Sequence, residues 1–374
     1  MVAVIHAYSR RNAGDSLLVD LSLERLERAG VRRTDCEVFA LDAASFGDLP
    51  HVHQVGVPGR RPSPAMVPAA GQLAASAVYV GSGGRLKLGQ LPDVLARADA
   101  IVAVGGGYLR TGTTVASLGT LLNHVPQLAA ASRATVPTVY LPQSIGPLRG
   151  PVGALVRRLL QRIDLVCVRD DRSVDELGPR LPVQRFSDLA VLQLSEQLAQ
   201  GNGKTSNGDR VVLVGRELTN GNAYEEHLVE LASRLGEVSW AAQAEGLGTK
   251  SDVSLYERLG VRSDGRLLDL LETGSPGVVV STRLHGAVQS LLAGVPAVHL
   301  GYERKSWSAY EDLGLSDYVH NARSFDPAAV AAQALELVSD PSAFWQRIEG
   351  RRPALAESSQ RLDASIGAHL SAVG

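Results

Sequence analysis

Val278-Val279-Val280-Ser281-Thr282-Arg283-Leu284-His285 reads as a buried β-branched strand that empties directly into a helix running to Leu292. The same grammar recurs along the chain. Short apolar runs stand at Val2 to Ala7, Glu37 to Leu41, Ala100 to Val104, Val136 to Leu141, Leu165 to Val168, Val211 to Val214 and Ala297 to Leu300, separated by longer amphipathic segments. One such segment places Val19, Leu23 and Leu26 at helical spacing beside Glu24, Arg25, Glu27 and Arg28, a surface helix with one buried stripe that ends at Gly30. Strand and helix in alternation predict the α/β class, with parallel sheets covered on both faces.

At 374 residues the chain is about two and a half times an ordinary domain, so two domains are expected. The clearest composition break runs from Ser195 to Arg210, where almost nothing is apolar. It predicts an amino-terminal α/β domain over residues 1–195, a linker over 196–208 and a carboxy-terminal α/β domain over 209–374, the two facing each other across a cleft. A proline-rich loop is expected from Gly56 to Pro68, and an amphipathic region after Asp340 carries Leu355, Leu362, Ile366 and Leu370.

With 37 basic residues against 39 acidic ones, a formal charge of −2, the whole chain gives no electrostatic footprint for nucleic acid or an anionic membrane. A small-molecule enzyme fits better. The two cysteines, Cys36 and Cys167, each lie in an apolar run and are too few for a disulfide framework. They read as core thiols of a reduced, cytoplasmic protein. No apolar run is long enough to span a bilayer. The histidines and cysteines show no metal-site spacing, so no metal is expected.

The strand ends carry the polar chemistry. Arg283 and His285 stand at a helix amino terminus, where free N–H groups and the helix dipole favour an anion. Arginine adds a planar fork for carboxylate or phosphate, and histidine a group that exchanges a proton near neutral pH. Tyr302 and Lys305 follow the next strand. Gly105-Gly106-Gly107 follows the strand Ala100 to Val104 and lets backbone approach a ligand, although its spacing is not the dinucleotide fingerprint. Asn12 and Asp15 follow the first strand, where helix capping by Asp15 is the competing reading. Gln143 and Ser144 leave another strand through a proline and glycine turn, and Arg169-Asp170-Asp171-Arg172-Ser173 forms a further strand-to-helix junction, with Ser173 or Asp171 as its cap. Gly203-Lys204-Thr205 is not a phosphate loop, because the first glycine of that motif would fall on Leu198.

Taken in order, Asn12-x-Gly14-Asp15, Gly105-Gly106-Gly107, Gln143-Ser144-Ile145-Gly146-Pro147, Arg169-Asp170-x-x-Ser173, Asp188-x-Ala190, Ser281-x-Arg283-Leu284-His285, Gly294-x-Pro296 and Tyr302-x-x-Lys305 resemble the polysaccharide pyruvyl transferases. The resemblance implies a GT-B-like pair of doubly wound, Rossmann-like domains. It also implies transfer of pyruvate from phosphoenolpyruvate onto two hydroxyls of a sugar, free, lipid-linked or polymeric, as a cyclic ketal. Phosphoenolpyruvate would be a co-substrate, with no other cofactor.

On this reading Arg283, His285, Lys305, Ser281 and Arg169 bind the donor, with Arg169 a carboxylate contact from the opposite wall of the cleft. Asn12, Asp15, Gly106, Gly107, Gln143 and Ser144 bind the acceptor. His285, Arg283 and Asp15 carry the catalysis. The chain departs from the family pattern at Ser16, where an acidic residue is common, and at Leu189, where a proline is common. The rival readings are a GT-B glycosyltransferase with a nucleotide-sugar donor and a noncatalytic sugar-binding or assembly protein. The expected location is the cytoplasm, with a peripheral place at the inner face of the membrane left open.

Overall fold

The computed structural model describes residues 1–55, 95–179, 181–200, 208–218, 222–244, 251–302 and 304–371. The expected loop from Gly56 to Pro68 and the Gly203-Lys204-Thr205 segment lie outside them. The chain divides into two compact units. The first holds Met1–Arg10, Asp15–Leu189 and Ser358–Gly374, and the second holds Arg11–Gly14 and Ala190–Glu357.

The first unit is built on strands β1 (Val2–Ala7), β2 (Cys36–Ala40), β3 (Val52–Gln54), β4 (Ala100–Ala103), β5 (Thr138–Gln143), β6 (Leu165–Val168) and β7 (Val183–Arg185). They form one parallel sheet in the order β3-β2-β1-β4-β5-β6-β7. Every residue of β1, β4, β5 and β6 is buried. That explains why these strands read as unbroken apolar runs: a parallel strand under helices on both sides has no wet face.

The second unit repeats the plan with β8 (Arg210–Val214), β9 (Val238–Ala242), β10 (Gly265–Arg266), β11 (Pro276–Ser281), β12 (Ala297–Gly301) and β13 (Val319–Asn321) in the parallel order β10-β9-β8-β11-β12-β13. Each run that the sequence marks as a strand is one. The short strands β3, β7, β10 and β13, and the five-residue β9, join them.

In both sheets the order reverses between the first strand and the fourth, at β1/β4 and β8/β11. Helices there diverge to opposite faces and leave a crevice beyond the strand ends, the place where open α/β sheets bind ligands. The helix Ala13–Arg28 ends before Gly30, whose φ of 87° turns the chain back. Cys36 and Cys167 are free and buried. Burial pushes the Cys36 thiol up to about 11 and the Cys167 thiol higher still.

The expected linker 196–208 begins inside the helix Leu189–Ala199, whose leucines and valine give it a buried side. The expected amphipathic tail is one helix, Ser342–Leu370, with Leu355, Leu362, Ile366 and Leu370 all buried. Its first part belongs to the second unit and its last part to the first. Arg25, almost wholly buried, donates to Ser359 Oγ at 2.7 Å and to both oxygens of Asp363 at 2.8 and 2.9 Å. No helix among the described residues is long and apolar enough to cross a membrane.

Candidate active site

In the first unit the carboxyl ends of β4, β5 and β6, on one side of the switch point, bring together five of the predicted residues: Gly106, Gly107, Gln143, Ser144 and Arg169. The Ser144 N–H donates to the Gly106 carbonyl at 2.8 Å, and the Arg169 N–H donates to the Gln143 carbonyl at 3.1 Å. This stitches the ends of β4, β5 and β6 side by side. Gly105 is needed for the close approach, since a Cβ there would lie 2.8 Å from the Pro142 carbonyl oxygen.

Arg169 sits beneath this turn with 3% exposure. Its Nε donates to Ser144 Oγ at 3.1 Å and its Nη1 to Asp188 Oδ2. Its Nη2 has no hydrogen-bond partner and lies 3.7 Å from where a Cβ on Gly107 would stand. The Gln143 carboxamide is fully buried beside the Tyr108 hydroxyl, yet neither of its polar atoms makes a hydrogen bond of ordinary geometry. Unmet polar capacity of this kind in a closed environment is expensive unless something else supplies the partner. Asp188, the first residue of the Asp188-x-Ala190 motif, is the buried counterion of Arg169. Arg169, expected with the donor residues of the other domain, is placed among the residues expected for the acceptor. The cap of the following helix, Asp171–Leu177, is Asp170, not Ser173 or Asp171. Its carboxylate accepts from the Ser173 N–H at 2.8 Å, because Asp170 alone has the extended backbone of an N-cap.

Behind the glycine turn lies a buried aromatic box. The rings of His6 and His124 each stack on Tyr108, with centroids 4.6 and 4.8 Å away. His6 Nε2 meets the Tyr140 hydroxyl at 3.0 Å, and His6 Nδ1 meets His124 Nδ1 at 3.3 Å. That last contact needs one ring to donate from Nδ1–H and the other to accept at a bare Nδ1, so at least one of the two is neutral. Burial, then the neighbouring His124, holds His6 well below 6.5. Burial, then Arg110, lowers His124 to about 3. His6 has φ 68°, a left-handed backbone that a non-glycine residue seldom adopts. Its N–H is held there by Gln127 Oε1 at 2.8 Å.

In the second unit the switch point holds Ser281, Arg283 and half-buried His285. Ser281 Oγ accepts from the Arg283 N–H at 3.1 Å and donates to the Arg283 carbonyl at 2.8 Å, so its hydroxyl shapes the turn. Arg283 is the N-cap of the helix Leu284–Leu292, with its guanidinium held by buried Asp252. Arg216, which directly follows β8 and its Gly215, donates from Nη1 to the Tyr302 hydroxyl and lies over that ring, 4.8 Å from the centroid. Sequence reading missed Asp252 and Arg216, although the position of Arg216 after a strand at the switch point marked it. Lys305 falls in the first turn of the helix Arg304–Asp312, and its side chain lies outside the described residues.

The residues around the start of the first long helix are divided between the two units. Arg11–Gly14 belongs to the second unit, where the Gln289 side chain donates to the Ala13 carbonyl at 3.1 Å. A Cβ on Gly14 would stand 2.5 Å from His285 Nδ1. Asn12 Oδ1 accepts from the Gly14 N–H at 3.2 Å. Asp15 is half-buried in the first turn of its helix, not at the cap, and belongs to the first unit. Among the described residues no group of three or more His, Cys, Asp or Glu side chains is placed to hold a metal ion.

Residues 12–304 match the family model described as Polysaccharide pyruvyl transferase. No curated protein sequence is a significant match. Among solved structures, the UDP-GlcNAc 2-epimerase from Methanocaldococcus jannaschii is 10% identical, with 91% of this chain and 94% of that one covered at a TM-score of 0.52. A putative UDP-N-acetylglucosamine 2-epimerase from Listeria monocytogenes is 13% identical, with 99% and 96% covered at 0.52. A UDP-glucose: anthocyanidin 3-O-glucosyltransferase in complex with UDP is 11% identical, with 99% of each chain covered at 0.52. At these identities the likeness shows the fold, a GT-B-like pair of parallel α/β units.

Proposed function

Because this chain belongs to the polysaccharide pyruvyl transferase family, an enzyme family of transferases, we propose that it moves pyruvate from phosphoenolpyruvate onto two hydroxyls of a sugar and releases phosphate. The family match over residues 12–304 carries this reading, since it takes in Asn12, Asp15, Gly106, Gly107, Gln143, Ser144, Arg169, Ser281, Arg283 and His285.

Phosphoenolpyruvate presents a phosphate and a carboxylate on one small frame. Protonation of its methylene carbon makes the adjacent carbon electrophilic. One sugar hydroxyl bonds to that carbon, the carbon–oxygen bond to phosphate breaks, and the neighbouring hydroxyl closes the ketal as both hydroxyl protons are lost. The chemistry needs cations and a proton donor together. In our assignment Arg283 and Lys305 serve the donor anions and His285 is the general acid or phosphate partner. Arg169 offers its unmet Nη2 to the donor carboxylate. Asp15 takes a hydroxyl proton, while Asn12, Gln143, Ser144 and the backbone of Gly106 and Gly107 orient the acceptor. Ser281 acts through the turn it braces.

A nucleotide-sugar glycosyltransferase is the second reading. It is supported by the shared fold of enzymes whose names carry UDP-sugars, one of them with UDP bound. The amino terminus of the helix Leu284–Leu292 with Arg283 would then take a diphosphate.

A thermal-shift titration separates the two, because a ligand that binds only the folded chain raises its apparent stability by mass action. Pyruvyl transfer predicts a saturable shift with phosphoenolpyruvate that Arg283→Ala removes, followed by phosphate release when the right sugar is added. A shift with uridine or guanosine diphosphate and none with phosphoenolpyruvate would transfer the assignment to glycosyl transfer.

A further inference from the structure

The helix Thr114–Asn123 follows the glycine turn and is built inside out. Its buried side is polar: Thr120 Oγ1 donates to the Arg110 carbonyl at 2.6 Å, and Ser117 Oγ donates to the Thr111 carbonyl at 3.1 Å. Its outer side is apolar, with Val115 58%, Leu118 55%, Leu122 37% and Leu121 36% exposed. Four of the eight exposed large apolar side chains found among the described residues therefore sit on ten residues of one helix. They span about a third of the helix circumference, since residues three, six and seven positions apart share a face. Water-facing helices carry the opposite pattern, and contiguous apolar patches mark a surface that docks.

The sequence that carries this face is basic. From Ala100 to Ile163 the chain carries six arginines and no aspartate or glutamate, within a protein whose total charge is −2. Arg110 and Arg149 are exposed at the amino-terminal end of the apolar helix, where Thr111 Oγ1 donates to the Arg149 carbonyl at 2.9 Å. The helix Gly150–Leu160 packs against it and leaves Arg158, with Arg162 just beyond its end, exposed. Arg157, on the same helix, is half-buried and pairs with Glu176.

We propose that this face lies on an anionic lipid surface, with Val115, Leu118, Leu121 and Leu122 entering the headgroup boundary and Arg110, Arg149, Arg158 and Arg162 meeting lipid phosphates. Amphipathic helices bind bilayers this way, by apolar insertion combined with attraction to anionic lipid. The inference does not depend on the donor or the acceptor, so it stands or falls apart from pyruvyl transfer.

The test is flotation of the full chain with vesicles of phosphatidylcholine alone and of phosphatidylcholine mixed with phosphatidylglycerol. Binding is expected only to the mixed vesicles, weakening as salt is added. A double variant Leu118→Gln, Leu122→Gln should lose it with unchanged thermal stability. Arg158→Gln with Arg162→Gln should weaken it about tenfold to thirtyfold, from the contribution of each basic residue near such a surface. Absence of binding to the mixed vesicles, or binding by both double variants as strong as that of the unsubstituted chain, overturns the proposal. So does a concentration-dependent dimer, seen by sedimentation without vesicle binding and abolished by the leucine substitutions, which would assign the face to a second copy of the chain.

Discussion

Asp252 grips Arg283 from two sides: Arg283 Nε donates to both carboxylate oxygens at 2.9 Å and Nη2 to Oδ1 at 2.6 Å. The same carboxylate accepts from the backbone N–H groups of Gln243 and Ala244 at 2.9 and 3.0 Å. The pair is therefore tied to the end of β9 as well as to the cap of the helix Leu284–Leu292. Removing Asp252 strands a nearly buried guanidinium, a change that costs about 3–5 kcal/mol in comparable pairs. Asp252→Ala should lower the urea midpoint of the second unit's transition accordingly, whereas a substitution at solvent-facing Glu272 should leave it unchanged.

Arg169 reaches Ser144 and Asp188 at once through a planar fork. Lysine has no such fork and cannot keep both contacts while presenting a third nitrogen. Arg169→Lys is expected to fold, by circular dichroism, yet to lose on the order of a hundredfold to a thousandfold in phosphate release from phosphoenolpyruvate. Near wild-type turnover in this variant would remove Arg169 from the donor site.

Two neighbouring glycines should behave in opposite ways. At Gly105 an added methyl meets the Pro142 carbonyl oxygen at 2.8 Å, so Gly105→Ala should destabilise the first unit by about 1–3 kcal/mol. At Gly107 the nearest atoms, Arg169 Nη2 and Ser144 Cβ, lie at 3.7 and 3.8 Å, an ordinary contact. Gly107→Ala should keep its melting temperature while weakening ligand binding, because the methyl occupies the space over Arg169. Equal thermal loss in both would place the glycine requirement in folding alone.

The histidine box sets an acid limit on stability. His6 and His124 are depressed in the folded chain, so the unfolded chain binds more protons once the pH falls below their ordinary value of 6.5. Stability is then lost from about pH 6.5 downward toward about 3, where His124 titrates in the folded state. The slope is about 1.4 kcal/mol per pH unit for each fully engaged histidine. Urea unfolding across this range should show it, and His124→Asn should flatten the slope by about one proton.

What was legible in the sequence follows from what is local. Buried parallel strands need apolar residues on both faces, so Val2–Ala7 or Pro276–Ser281 announce themselves. Edge strands such as Gly265–Arg266 have no such requirement, and Val238–Ala242, with Ser239 and two alanines, lacks the β-branched signature. The cluster of Gly106, Gln143, Ser144 and Arg169 was foreshadowed because each follows a strand, and strand ends converge. Its counterion, Asp188, and the counterion of Arg283, Asp252, were not recognised as such. Such pairing joins residues 19 and 31 positions apart through tertiary contact alone. The basic stretch from Ala100 to Ile163 was hidden by averaging, since acidic residues elsewhere cancel it in the total.

The last helix gives the chain an order of completion. Residues Ser358–Gly374 belong to the first unit, where Ser359 and Asp363 receive the buried Arg25. The earlier part of the first unit therefore waits for a segment that follows the whole second unit in the chain, and the second unit can close while the first still lacks a wall. Severing the chain near residue 200 would yield an amino-terminal fragment missing the partner of its own arginine. Bringing the two pieces together again would require the second to return what belongs to the first.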